Sequence, residues 1–315
     1  MDLRSGKKST LPPLKPKKTT SPAFLDDNAR PKSMESTSKR LKKSNAKKTE
    51  IIEKKPLKTD KEEIPYIGAS DFKFLREKGI IVDKTEFICE FLERPFYGIA
   101  VLFPRRFGKS TNLDMVKTFL EVEMDEYGGN LEDRYKTTPN YFLGGKTKDG
   151  KKSLEPLAIS KHKEIVEKYM GKFPTIYIDF KQVRSGNDFE TMKTALNICI
   201  FREYKRHSYL KHSPKLSDRG KTFFKQIIKS RKIPNNDLPM SLNLLSELLS
   251  THWNRKVFVF IDDYDAPINY ILGNEDFKKI CIEDVIQMFY EVFSNLLKTN
   301  DSNIEKAFIT GILHI

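Results

Sequence analysis

Four consecutive residues, Gly108-Lys109-Ser110-Thr111, carry the groups that hold a nucleoside triphosphate. Backbone N–H groups at a helix start bind phosphate oxygens, a lysine pairs with the β- and γ-phosphates, and a hydroxyl ligates Mg²⁺. On that reading Lys109 meets phosphate and Ser110 meets the metal. The first glycine of G-x-x-x-x-G-K-[ST] would fall at position 103, where Phe103 stands instead. A second feature supplies the acids this chemistry needs: "VFVFIDD", residues 257–263, is an apolar run that ends in two carboxylates. Asp262 would hold the metal, directly or through a bound water. Asp263 lies where many ATPases place a glutamate that orients the attacking water, and it is one methylene shorter. Each motif alone has a plainer explanation: Lys109 as an exposed lysine at a helix start, the two acids as a turn after a strand. Together they point to ATP and Mg²⁺ as cofactors. At least one of Arg105 and Arg106 is expected to touch phosphate or stabilise transition-state charge; pairing with acids elsewhere in the domain is the alternative.

These residues need a strand, a loop and a helix to position them. "YGIAVLF" (97–103) reads as a buried parallel strand, PRRFGKS as the loop, and residues 111–121 as a helix with Leu113, Val116, Phe119 and Leu120 on one face. Upstream, Ser70 is a plausible cap for a helix that Gly79 stops, "IIVD" (80–83) a short strand, and "KTEFICEFLE" (84–93) an amphipathic helix. Asp83 caps that helix or, with Lys84, lines a base pocket. Residues 124–153 are rich in Gly, Asp and Lys and read as an exposed excursion. "FPTIYIDF" (173–180) is a second strand, residues 187–252 are mostly helical, "KVFVFIDD" is a third strand, "EDVIQMFYEVFSNLLKTN" a long helix and "KAFITGILHI" a fourth strand. Such alternation predicts an α/β fold with a mainly parallel sheet. "IDFK" (178–181) resembles half of a nuclease D-x-K signature, but no upstream partner acid stands at suitable spacing, so it is set aside.

The chain has 315 residues and a formal net charge of +14. Residues 1–63 hold 18 Lys/Arg against 9 Asp/Glu, so most of that excess lies in the leader. Residues 1–62 are poor in aromatic residues and rich in Lys, Ser, Thr and Pro, a composition that predicts a disordered basic leader. Its densest cluster, "SKRLKKSNAKK" (38–48), reads either as a nuclear import signal or nucleic-acid tether, or as a solvated tail. No apolar run approaches the ~18 residues a membrane helix needs. Cys89, Cys199 and Cys281 are widely spaced, which suits a reducing, intracellular compartment and argues against structural zinc. The five histidines lack metal-ligand spacing, apart from a loose His207/His212 pair.

Five phrases in order, "IPYIGASDFKFLREKG", "VDKTEFI", "PRRFGKST", "IDDYDAPI" and "FITGIL", resemble the AAA-ATPase-like family. The resemblance covers about residues 64–315. It implies a three-layer P-loop NTPase domain over 63–315, of the type in which the strand bearing a sensor residue lies between the P-loop strand and the acidic strand. Family members often carry a PD-(D/E)XK nuclease-like region after this part, which would lie beyond Ile315, so the domain is expected to be incomplete at its C-terminal end. The family loop R-P-R-R-F-G-K-[ST] matches at Pro104, Arg105, Arg106, Phe107, Gly108, Lys109 and Ser110, with Phe103 replacing the leading Arg. The missing glycine is therefore a family feature. In D-E-Y-D-A-P, Asp263 replaces Glu. Thr310 matches the polar sensor position, suited to the γ-phosphate or attacking water, and His314 stands where Arg is frequent. The resemblance implies ATP binding and Mg²⁺-dependent hydrolysis, with Thr111 closing the phosphate-binding set. The departures at 263 and 314 leave open a nucleotide-gated module that binds without cleaving, and the leader leaves open a nucleic-acid-associated protein.

Overall fold

A computed structural model of the chain describes residues 68–183, 188–273 and 282–312. The basic leader, most of "IPYIG" and His314 lie outside the described residues. Six strands occur among those described: β1 (Gly98–Leu102), β2 (Gly145–Lys146), β3 (Ser153–Leu154), β4 (Thr175–Asp179), β5 (Val257–Asp262) and β6 (Ile304–Gly311). Four of them form one parallel sheet in the order β1-β6-β5-β4, and β2 pairs antiparallel with β3. The last described strand thus lies between the strand that precedes the PRRFGKS loop and the strand that ends in acids.

Ten α-helices are described: α1 (Phe72–Lys78), α2 (Glu86–Glu93), α3 (Lys109–Leu120), α4 (Thr138–Leu143), α5 (Lys163–Tyr169), α6 (Phe189–Arg206), α7 (Asp218–Ser230), α8 (Ser241–Trp253), α9 (Ala266–Leu272) and α10 (Ile282–Leu297). They cover both faces of the sheet. Side chains alternate along a strand, so β5 sends Phe258 and Phe260 to one core and Val257, Val259 and Ile261 to the other. The first core joins those rings to Phe308 of β6, Phe91 of α2 and Phe119 of α3. The second joins the β-branched residues to Ile200 of α6, Leu249 of α8 and Val292 of α10. Every residue of β5 is buried, as the continuous apolar run requires of a strand covered on both faces. Each phenylalanine so placed stabilises the fold by about 1.5–3 kcal/mol relative to leaving it exposed.

Four sequence expectations need correction. β1 is not fully buried: it is an outer strand of the described sheet, its residues exposed or half-buried, and Ile99 and Val101 pack on the phenylalanine-rich core. Residues 80–83 form no strand. Ile80 and Val82 are exposed, and Asp83 accepts from Thr85 N–H and Ala158 N–H, tying the start of α2 to a distant segment. The cap of α1 is Asp71, whose carboxylate accepts from Phe74 N–H at 2.7 Å, rather than Ser70. Residues 124–153 are not simply an exposed excursion. They include α4, whose Phe142 is buried and stacks on Phe72 with ring centroids 4.9 Å apart. Two aromatic side chains in a Gly/Lys-rich background are too few to show a helical period.

A polar cluster fixes the far end of the sheet from the acids. The Arg206 guanidinium at the end of α6 pairs with Glu121 just after α3 and with Glu203, and donates to the Thr175 carbonyl of β4 at 2.6 Å. Burial alone would raise both carboxyl pKa values. Arg206, acting with Lys117 and Thr175 on Glu121 and with His207 on Glu203, outweighs it and holds both carboxyls at about 2. The loosely spaced His207 belongs to this cluster and faces Glu203 and Tyr209; burial and Arg206 lower its pKa.

Candidate functional site

The loop from β1 to α3 starts by extending the sheet: Phe103 N–H donates to the Gly311 carbonyl of β6 at 3.2 Å. It then turns through two left-handed residues, Arg106 at φ 69° and Gly108 at φ 76°. Glycine takes this conformation freely, whereas the arginine does so at a cost of about 1–2 kcal/mol. Asn112 N–H donates to the Gly108 carbonyl at 2.9 Å, closing the first turn of α3 and leaving the preceding N–H groups at its start without helical partners. Lys109 is only 7% exposed, and its ammonium curls back to the Pro104 carbonyl at 3.1 Å.

This loop opens on a cleft of about 520 Å³, within the range of small-molecule sites. Arg105, Arg106, Gly108, Lys109, Ser110 and Thr111 line it together with Asp263. Phe107 does not: its ring is exposed and stacks on Phe103, centroids 6.3 Å apart and planes 9° apart. Residues 68–70 lie along the cleft, and Asp83 and Lys84 are not among its lining residues.

The acids come from the end of β5. Asp262 is 1% exposed; one carboxylate oxygen accepts from the Thr310 hydroxyl and the other from the Lys181 ammonium at 3.1 Å. Asp263 adopts φ 47°, its N–H donates to Thr310 Oγ1 at 3.3 Å, and its carboxylate lies 3.4 Å from Lys181 Nζ. Thr310 is wholly buried and does not line the cleft. Its hydroxyl holds the Asp262 carboxylate and the backbone of Asp263. Tyr264 N–H donates to the Thr310 carbonyl, and Asp265 accepts from Ile312 N–H at 2.9 Å, so the turn after β5 is stitched to the end of β6.

The sequence model of a family described as Predicted AAA-ATPase matches residues 66–133 and 134–315. The chain belongs to this AAA-ATPase-like family. No curated protein and no solved structure matches it. Three phrases that carried the resemblance, "PRRFGKST", "IDDYDAPI" and "FITGIL", meet in this AAA-ATPase-like chain at the carboxyl ends of β1, β5 and β6. Ligands of open parallel sheets bind at such ends.

Sequence reasoning missed Lys181. It lies in the single turn after β4, where Asp179 accepts from the Lys181 N–H at 2.8 Å. Its ammonium sits 3.1 Å from Ser110 Oγ, 3.1 Å from Asp262 and 3.4 Å from Asp263. Burial works against that charge, but the two aspartates outweigh it and raise the Lys181 pKa. Asp179 pairs with Asp262 in the β4–β5 register, and burial lifts its carboxyl above the ordinary aspartate range. The set-aside "IDFK" thus supplies part of the cleft. The signal available was positional: a charged pair at the end of a strand that neighbours the acidic strand.

One donor group outside the cleft also escaped the spacing argument. Glu86, Cys89 and His162 bring ligand atoms within 4.8 Å of one another. His162 and Glu86 are already paired at 2.8 Å, and burial, with Glu86 and Glu93, pushes the Cys89 thiol up to about 11. Among the described residues no helix is long and apolar enough to cross a membrane.

Proposed function

We propose that this AAA-ATPase-like chain binds ATP with Mg²⁺ in the cleft and hydrolyses its terminal phosphate, on a P-loop NTPase domain of the additional-strand type. The observation that carries the reading is that Ser110 and Asp262, distant in sequence, converge on a single cation, the Lys181 ammonium, beside the start of α3. A hydroxyl and a carboxylate gathered around a positive charge are the donor set that Mg²⁺ takes beside phosphate. Bound there, Mg²⁺ would neutralise charge that develops on the phosphate oxygens.

The chain's own groups divide the remaining work. N–H groups at the start of α3 hold phosphate oxygens, and Lys109 exchanges its Pro104 carbonyl for phosphate. Arg105 and Arg106 add positive charge at the cleft. Asp263 orients the attacking water, and Thr310 holds the Asp262 carboxylate and the Asp263 backbone. The second reading, binding without cleavage, draws support from Asp263: its carboxylate lies 3.4 Å from the Lys181 ammonium, a contact that competes with orienting a water.

Titration of ATP in the presence of Mg²⁺, followed by phosphate release on the same sample, tests both readings. Lys109→Ala should weaken binding by about tenfold or more, since charge-assisted contacts to phosphate are among the strong ones. Unchanged affinity removes Lys109 from the site. Binding with no phosphate release selects the second reading.

A further inference from the structure

We infer that Lys181 is a tethered counter-ion, holding the position that the divalent metal takes in the nucleotide complex, so that metal and ammonium compete for the same donors. This rests on the nucleotide reading above. The three groups nearest the ammonium, Ser110 Oγ at 3.1 Å, Asp262 at 3.1 Å and Asp263 at 3.4 Å, are those assigned to the metal and to its water. The second oxygen of Asp262 is taken by Thr310, so only the oxygen facing Lys181 remains for a cation. A divalent ion and an ammonium cannot both occupy that position, because they repel and need the same lone pairs.

The arrangement answers a physical problem. Asp262 is almost fully buried, with Asp263 beside it and Asp179 across the sheet. A buried carboxylate without a partner is strongly destabilising. Lys181 supplies that partner from within the chain, and the acids stay in register before any ligand arrives. Its side chain is 42% exposed, and its flexible stem rises from a short turn that borders the cleft. Loading the metal therefore displaces the ammonium outwards, into solvent at the edge of the cleft. A lysine suits this exchange better than an arginine, being a compact charge on a rotatable stem.

Two consequences follow. The metal alone binds weakly, because it must evict a charge already in place. The nucleotide binds without a divalent ion, because the displaceable ammonium already offsets the acids.

Two titrations on the full chain test this. In the first, Mn²⁺ alone is added to nucleotide-free protein and free Mn²⁺ is followed by electron paramagnetic resonance. Lys181→Met and Lys181→Gln should each bind Mn²⁺ about tenfold more tightly than wild type, while Lys181→Arg, which keeps the charge, should not. Equal Mn²⁺ affinity in wild type and both neutral variants overturns the proposal. In the second, a fluorescent ATP analogue is titrated in EDTA and in Mg²⁺. Wild type should bind under both conditions, and the neutral variants should lose about tenfold or more in EDTA with little loss in Mg²⁺. Equal losses under both conditions would assign Lys181 to a phosphate contact or to folding, and overturn the counter-ion role. Absence of analogue binding to wild type under both conditions removes the nucleotide reading, and the Mn²⁺ titration still decides the counter-ion role. Thermal melts guard against misfolding: the neutral variants should melt below wild type and recover on addition of Mn²⁺.

Discussion

The hydroxyl of Thr310 donates to the buried carboxylate of Asp262, and the same oxygen accepts the Asp263 N–H. One side chain of β6 thereby holds the carboxylate that ends β5 and the backbone of the acid that follows it. Thr310→Val keeps the shape and removes the hydroxyl, leaving a buried carboxylate oxygen and a backbone N–H without this partner. The expected cost is about 1–3 kcal/mol, with Thr310→Ser close to wild type. Urea unfolding of the two variants measures it; equal stability of Val and Ser would show that the hydroxyl orients nothing.

Asp263 is expected to act in turnover more than in binding. Asp263→Asn should leave ATP affinity within a few fold and lower phosphate release by about a hundredfold or more, the range for a general acid–base group. Steady-state kinetics set beside a binding titration separate the two effects. Full turnover in the Asn variant would mean that another group, with Asp179 the nearest acid by register, orients the water.

Gly311 is glycine because of what lies above it. A Cβ there would come within 2.4 Å of Tyr264 Cε1 and 3.1 Å of Asp265 Oδ1. Gly311→Ala must push the Tyr264 ring aside, and a loss of about 1–3 kcal/mol is expected from this overpacking. Adding Tyr264→Ala should relieve the clash, so the double variant should be more stable than the sum of the singles. A double-mutant cycle by chemical unfolding reads this directly, and strict additivity would contradict the contact.

The Arg206 cluster predicts an acid limb of stability. Glu121 and Glu203 have folded-state pKa values of about 2 against an ordinary 4.5. Both are depressed, so their contribution is complete above pH 4.5 and is lost as pH falls from 4.5 towards 2. Arg206→Met removes the cation that the two carboxylates share, leaving half-buried Glu121 with Lys117 alone and buried Glu203 beside His207. It should lower stability at neutral pH by about 3 kcal/mol and flatten or reverse the dependence on acid. Unfolding free energies between pH 7 and pH 3 measure it, and parallel curves for the two proteins would contradict the coupling.

Local chemistry explains what the sequence made legible. Lys109 and Ser110 open α3 one short loop after the apolar run of β1, and Asp262 and Asp263 directly follow the apolar run at 257–261, so their placement follows from a few neighbouring residues. The long helices and β5 were legible because a full period of apolar residues spells them out. Lys181 was not, since it is 71 residues from Ser110 and 81 from Asp262 and meets them only through the β4–β5 register. The contact between Thr310 and Asp262 was hidden for the same reason: pairing across the sheet, rather than the local word "ITG", aims its hydroxyl at Asp262. β1 was read as buried because an apolar run shows that a strand exists, but not whether it lies inside the sheet or at its side.

The central place of β6 gives the chain an order of assembly. Gly98 pairs with Ala307 and Val257 with Ile304, so both halves of the sheet dock on a strand made after them. A nascent chain that has emerged only through β5 already holds the PRRFGKS loop and the acids, yet β1 and β5 have no strand between them to pair with. Contacts so distant in sequence close slowly, after local helices have formed. The cleft thus matures only after β6 has been made. A half-made chain displays two unpaired strand flanks and no working site, so premature release favours aggregation over a partly active product.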